Sequence, residues 1–283
     1  MIIKKIFSVC LLATCLCAMA QKKTEILIWD ENPLESSEAK SQAVRAQDFT
    51  KDPAITVYTP KSPTGKTIVM CPGGGYTHQA SGHEGHDMAS WFNSQGITYV
   101  VLKYRLPYGD STIPLADAEQ AMRVVRKYAK ELGVDPSKVG IAGASAGGHL
   151  ATTLATHYSS PETRPDFQIL FYPVVSMDAK KTHMGSRKSL LGENPTREKV
   201  DSFSNALRVT ADTPKAFIML SSDDRAVPPV NSIEYFQALV DNGVPASIHS
   251  YPVGGHGWGF RDSFGYKRQW TGELEKWLRE EVK

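Results

Sequence analysis

From residue 54 onward the chain alternates between two hydrophobic patterns. Short apolar or β-branched runs at residues 55–58, 67–71, 98–103, 138–142, 167–172, 216–221 and 246–251 are separated by longer stretches in which apolar residues recur every three or four positions. The short runs predict strands, and because most are continuously apolar, strands buried on both faces. The longer stretches predict helices. Leu115, Ala118, Ala121, Met122, Val125, Ala129 and Leu132 form one apolar stripe, and similar helices are expected at residues 84–94, 148–158, 232–241 and 267–281. The last of these turns Trp270, Leu274, Trp277 and Leu278 inward. Strands alternating with helices predict an α/β fold with a mostly parallel central sheet flanked by helices.

Two segments break the alternation. Residues 21–53 are polar with scattered prolines and read as an N-terminal extension crossing the surface. Residues 176–213 are longer than a usual strand-to-helix connection and read as a short cap insertion over one end of the sheet. The remaining layout is a single large domain from residue 54 to residue 283, a size that α/β folds reach without dividing.

The first twenty residues have a pattern of their own. Lys4 and Lys5 precede an apolar run over residues 6–16, which ends in Ala18-Met19-Ala20. This is the layout of a secretory signal peptide cleaved after Ala20, which predicts a secreted or periplasmic protein. The run falls short of the roughly 20 residues that cross a bilayer, so no membrane span is expected. Cleavage removes two of the 32 basic residues and leaves 30 against 30 acidic ones. A neutral chain has no global field drawing it to nucleic acid or an anionic membrane, which favours a small or uncharged substrate over a polyanion. Cleavage also removes Cys10, Cys15 and Cys17, and the remaining Cys71 cannot form an internal disulfide. The sequence does not indicate an oligomeric state.

The chemistry-bearing residues lie at the ends of predicted strands. Gly143-Ala144-Ser145-Ala146-Gly147 stands between a strand and a helix, the context of a nucleophile elbow, in which a sharp turn presents the serine and only small neighbours fit. Pro72-Gly73-Gly74-Gly75-Tyr76 follows the strand at residues 67–71, where bare backbone can approach a carbonyl. The amides of Gly74, Gly75 and Ala146 are therefore assigned to an oxyanion hole. An acid and a histidine should follow the serine in that order. Asp223 and Asp224 both leave the strand at residues 216–221, and the Asp224-x-x-Val227-Pro228 spacing favours Asp224. His256, in the glycine-rich loop Gly254-Gly255-His256-Gly257-Trp258-Gly259, is the best-placed base. His249 and His157 fall in a strand and at a helix end, and His149, four residues past Ser145, is expected to support the loop or line the pocket. His78, His83 and His86, near Glu84 and Asp87, match no metal motif, so neither a metal nor any other cofactor is expected.

With these residues in place, the chain from about residue 55 onward resembles the α/β-hydrolase family. Lys103-Tyr104-Arg105-Leu106-Pro107, the segment GASAGGHL at 143–150, DRAVPPVNS at 224–232 and GGHGWG at 254–259 resemble bacterial esterases that deacetylate plant polysaccharides, including acetylxylan esterases. The resemblance implies a serine carboxylesterase acting on O-acetyl esters, with feruloyl esters as an alternative acyl group. Catalysis would run through Ser145, His256 and Asp224, and Tyr76 and Trp258 are expected to form an aromatic wall for a sugar face. The chain departs from many relatives in having Cys71-Pro72 where a histidine opens the glycine loop, which leaves the outer support of that loop to other residues. A peptidase of the prolyl-oligopeptidase kind and a non-catalytic carbohydrate-binding homologue share the fold. The first normally carries a large additional N-terminal domain, and the filled triad positions speak against the second. The polar character of residues 176–213 argues against a lipase lid.

Overall fold

The computed structural model describes residues 22–283, so the signal-peptide reading of residues 1–20 lies outside the described residues. Eight strands form one sheet: β1 (Lys22–Leu27), β2 (Ala54–Thr59), β3 (Gly65–Cys71), β4 (Thr98–Lys103), β5 (Val134–Ala144), β6 (Gln168–Phe171), β7 (Ala216–Ser221) and β8 (Ala246–Tyr251), in the order β1-β2-β4-β3-β5-β6-β7-β8. The six strands from β4 to β8 run parallel. β2 pairs antiparallel with both β1 and β4. Every strand expected from the sequence is present, and β1 is added to them.

β1 arises within the segment read as a surface extension, and that reading is amended. The strand was hidden because it is an edge strand in which Ile26 alone is fully buried, so its sequence is mostly polar. The same segment carries the short helix α1 (Glu38–Arg45), capped by the Ser37 hydroxyl, which accepts from the Lys40 amide.

The remaining helices are α2 (Ala89–Ser94), α3 (Thr112–Lys127), α4 (Ala129–Leu132), α5 (Ser145–His157), α6 (Met184–Leu191), α7 (Arg197–Ser202), α8 (Val230–Asp241) and α9 (Lys267–Glu280). The stripe predicted over residues 115–132 breaks at Tyr128 into α3 and α4. The helix predicted at 84–94 shrinks to a 3-10 turn, His86–Met88, followed by α2. At Gly85 the chain runs so close to Ser81 that a Cβ would lie 2.5 Å from the Ser81 carbonyl oxygen, and the backbone there is not helical.

Side chains leave the sheet alternately to two cores. Val69 faces the core formed with Met122 and Val125 of α3, Leu150 and Leu154 of α5 and Leu239 of α8. Ile68 and Met70 face the opposite core, with Phe92 of α2 and Trp270 and Leu274 of α9. The cap expected at residues 176–213 contains α6, α7 and a 3-10 turn, Asn205–Arg208. It is fastened to α5 by the buried Asn205 amide, which donates to the hydroxyls of Thr152 and Thr153 at 2.8 and 2.9 Å. The parallel strands bring Cys71, Ala144 and Ser221 to the same edge of the sheet, and the loops leaving that edge hold Gly73, Ser145, Asp224 and His256.

Candidate active site

Ser145 is the first residue of α5, directly after β5, with φ of +53° in the left-handed region and only 6% exposure. Such a conformation costs a non-glycine residue on the order of 1–3 kcal/mol, and close packing maintains it here. A side chain on Gly143 would collide with the Gly147 carbonyl, and one on Gly147 with the carbonyls of Cys71 and Pro72. The two glycines thus let β5 turn into α5 hard against the end of β3.

Two hydrogen bonds link three side chains across this edge. His256 Nε2 lies 2.8 Å from Ser145 Oγ, and His256 Nδ1 lies 2.7 Å from Asp224 Oδ2. An ionised carboxylate only accepts, so Nδ1 carries the proton and Nε2 is free to accept from the serine hydroxyl. Asp224 is 5% exposed, and its other oxygen accepts from the amides of Ala226 and Val227, each at 2.9 Å. Asp223 plays a different part: it is exposed and accepts from the amides of Gly255 at 2.8 Å and Gly254 at 3.3 Å. Geometry therefore places Asp224 on the histidine ring and Asp223 on the histidine loop.

The glycine loop passes beside Ser145, and a Cβ on Gly73 would stand 2.9 Å from that of Ser145. Gly74 and Gly75 have φ of +126° and +65°, and a side chain on Gly74 would strike the His78 carbonyl. Among the described residues, no hydrogen-bond partner takes the amides of Gly74 or Gly75. Ala146, in the first turn of α5, belongs to the amides that lack an intrahelical acceptor. The support that a leading histidine gives in other relatives comes here from two distant residues. The Tyr104 hydroxyl donates to the Pro72 carbonyl at 2.7 Å, and the Gly73 amide donates to the Glu84 carboxylate at 3.0 Å.

The aromatic wall expected from Tyr76 and Trp258 is corrected. Tyr76 is 2% exposed, and its hydroxyl donates to His149 Nδ1 at 3.0 Å. Trp258 is 4% exposed, stacks on Phe264 with centroids 4.1 Å apart and donates from Nε1 to Ser221 Oγ at 3.0 Å. Both rings support the loops that bear the site and present no free face to a sugar. His149 joins three elements: it takes Tyr76 of the glycine loop on Nδ1, gives Nε2–H to the Phe203 carbonyl of the cap at 2.8 Å and itself belongs to α5. Burial holds its imidazole down to about 4, so it stays neutral.

Two residues at the site carried no motif. His183 in the cap is the N-cap of α6, accepting from the Ser186 amide at 3.2 Å, and its Cε1 lies 3.6 Å from where a Gly75 side chain would begin. Burial and the neighbouring His256 both push its imidazole below the usual range. Glu84 lies under the glycine loop. Of the neighbouring histidines only His83 comes near it, with Nε2 4.0 Å from Oε1, whereas His86 bonds the Tyr58 hydroxyl at 2.9 Å and His78 the Thr77 hydroxyl at 3.2 Å. His157 and His249 are likewise taken, by the Ser202 carbonyl at 3.0 Å and the Glu273 carboxylate at 2.9 Å. Among the described residues, no group of three or more His, Cys, Asp or Glu side chains is placed to hold a metal ion.

A parallel-centred sheet, a serine elbow and a hydrogen-bonded Ser-His-Asp chain at the C-terminal edge define a hydrolase of the α/β class. Residues 68–260 match the family described by the alpha/beta hydrolase fold, and the chain belongs to that family. It is similar to an acetylxylan esterase of Xylanibacter ruminicola, 41% identical over 87% of this chain and 52% of that protein. It is also similar to an endo-1,4-beta-xylanase B of Butyrivibrio fibrisolvens, 36% identical over 67% of this chain and 32% of that one. The chain thus spans about half the length or less of these curated relatives. Among solved structures, an acetyl ester-xyloside bifunctional hydrolase from Caldicellulosiruptor lactoaceticus superposes with a TM-score of 0.79 at 36% identity, covering 93% of this chain and 97% of that one. A sugar hydrolase from Lactococcus lactis gives 0.72 at 28% identity, covering 83% and 96%.

Proposed function

We propose that the protein is a serine carboxylesterase that removes acetyl groups from xylan-type polysaccharides or their oligosaccharides. The observation that carries the reading is the hydrogen-bond chain from Ser145 through His256 to Asp224 beside a glycine loop in which two amides have no partner among the described residues. In this reading, Ser145 Oγ attacks the ester carbonyl carbon as His256 Nε2 takes its proton, and the amides of Gly74, Gly75 and Ala146 receive the oxyanion. The sugar hydroxyl leaves with the proton returned by His256, and the acetyl group stays on Ser145. Water then attacks the acyl-enzyme with the same base, and acetate departs.

The names of two relatives, an acetylxylan esterase and an acetyl ester-xyloside hydrolase, support acetate over ferulate as the acyl group. Lys4, Lys5, the apolar run and Ala20 support export, which suits an enzyme whose polymeric substrate does not enter a cell. The test is acetate release from acetylated xylan and from a small aryl acetate by the mature protein, Ser145→Ala and Asp224→Asn. Release from both substrates that both variants lose is the expected result. Aryl acetate turnover without release from xylan would discard the polymer, and no turnover of either would overturn the reading.

A further inference from the structure

We infer that the buried carboxylate of Glu84 is a positioning residue of this site, locking the glycine loop to the histidine loop so that the oxyanion donors and the base keep a fixed spacing. The inference rests on the serine esterase reading above. Glu84 is 3% exposed, and each of its oxygens serves one loop. Oε2 accepts from the Gly73 amide at 3.0 Å. Oε1 accepts from the Tyr172 hydroxyl at 2.9 Å, whose oxygen in turn accepts from the Gly259 amide at 2.8 Å. Gly259 is three residues beyond His256, and a Cβ on the intervening Gly257 would lie 3.9 Å from Glu84 Oε1. The carboxylate therefore sits between the two loops that flank Ser145. A second tie runs beside it, from the Phe260 amide to the His83 carbonyl at 2.8 Å.

The chemistry of the contacts explains why the group is a carboxylate. Both partners are donors aimed inward, and a carboxylate accepts on each oxygen, whereas an amide would turn an N–H toward one of them. A buried charge is costly unless it is paired or hydrogen-bonded. The nearest cationic candidate is His83 Nε2 at 4.0 Å, so the two loop contacts are the main compensation for burial. Tyr172 shows the same signature: a bulky residue at φ of +36°, its ring 4.8 Å from that of His256, kept there by surroundings that over-determine it. Burial also raises the Tyr172 phenol well above its ordinary range, so its hydroxyl stays a donor. With its own amide committed to Glu84, Gly73 is pinned, and the chain turns at Gly74 and Gly75 to leave their amides open.

The experiment compares wild type, Glu84→Gln, Tyr172→Phe and the double variant on a small aryl acetate, with thermal unfolding followed for each. Misplacing catalytic groups by about an ångström costs on the order of 100-fold, so each single variant should lose roughly that factor in kcat with KM within about threefold. The double variant should lose little more than either single one, because both substitutions cut the same link. Should Glu84→Gln fail to fold, Tyr172→Phe, which deletes one oxygen, decides alone. Wild-type kcat in Tyr172→Phe, losses confined to KM, or losses that add in the double variant would overturn the inference while leaving the esterase reading intact. Absence of Ser145-dependent turnover in the wild type would overturn the esterase reading, and this inference with it.

Discussion

The two loops that flank Ser145 are held in contrasting ways. On the histidine side, the catalytic-ring end of the loop is held by two neighbours in sequence: the buried Asp224 takes the ring and the exposed Asp223 takes the amides of Gly254 and Gly255, while Ser221 and Tyr172 hold Trp258 and Gly259 further along. On the glycine side, the supports are buried and come from separate elements: Glu84, Tyr104 after β4, and Tyr76 through His149 of α5. The ring-bearing end of one loop hangs from an adjacent acidic pair, and the glycine loop hangs from buried residues far apart in the chain, with Glu84 joining the two. The difference separates substitutions that remove a chemical group from those that loosen a frame.

The largest effect is expected within the acidic pair. Asp224→Asn keeps the shape of the site but lets the imidazole take the wrong tautomer, and kcat on an aryl acetate should fall on the order of 10⁴-fold. On the glycine side, Gly74→Ala puts a side chain against the His78 carbonyl at a φ that L-residues avoid, displacing one donor. A loss of about 10²- to 10³-fold in kcat/KM is expected, with the melting curve recorded alongside to separate catalysis from folding. Near-wild-type activity in Gly74→Ala would remove that amide from the oxyanion assignment.

The glycine side should also show itself in stability against pH. An imidazole in the unfolded chain takes its proton near 6.5 and the buried His149 only near 4, so between those limits the unfolded state binds more protons. Stability should therefore fall as pH drops from about 6.5 to about 4 and level off below, by on the order of 3 kcal/mol from this group. The carboxylates held below their ordinary range, such as Asp110, and the other depressed histidines, His86, His157, His183 and His249, add slopes of the same sign, whereas Asp166, raised by burial, opposes them. The comparison that isolates His149 is urea unfolding of wild type and His149→Gln at pH 7.5 and pH 4.5, in which the variant should show the shallower loss. The smallest effect is expected for Asp223→Ala, which frees two loop amides without touching the ring. An activity loss of about three- to tenfold would fit, and a loss as deep as that of Asp224→Asn would contradict the division of labour between the two aspartates.

Local signals accounted for much of this. Ser145 could be found because an elbow forces glycine at 143 and 147, and that requirement is written into consecutive residues. Most of the strands were legible because strands covered on both faces are continuous apolar runs, and the part-buried edge strand β8 kept enough β-branched and aromatic character to be read. β1 was not, since an edge strand buries one side and its Lys, Thr and Glu residues read as loop. Tyr76 and Trp258 were misplaced for a related reason: an aromatic beside a catalytic glycine or histidine looks the same in sequence whether its ring faces substrate or the core.

By itself, the sequence determined the fold class, the elbow serine, the histidine and a choice between two adjacent aspartates, because each is fixed by periodicity or by a short turn with strict steric demands. Only the tertiary structure decided which aspartate meets the ring, that His149 and Tyr76 are paired supports, that His183 of the cap borders the loop, and that Glu84 lies between the two loops that flank Ser145. Those contacts join residues far apart in the chain, and their geometry exists only once the parallel strands have brought their C-terminal ends to one edge.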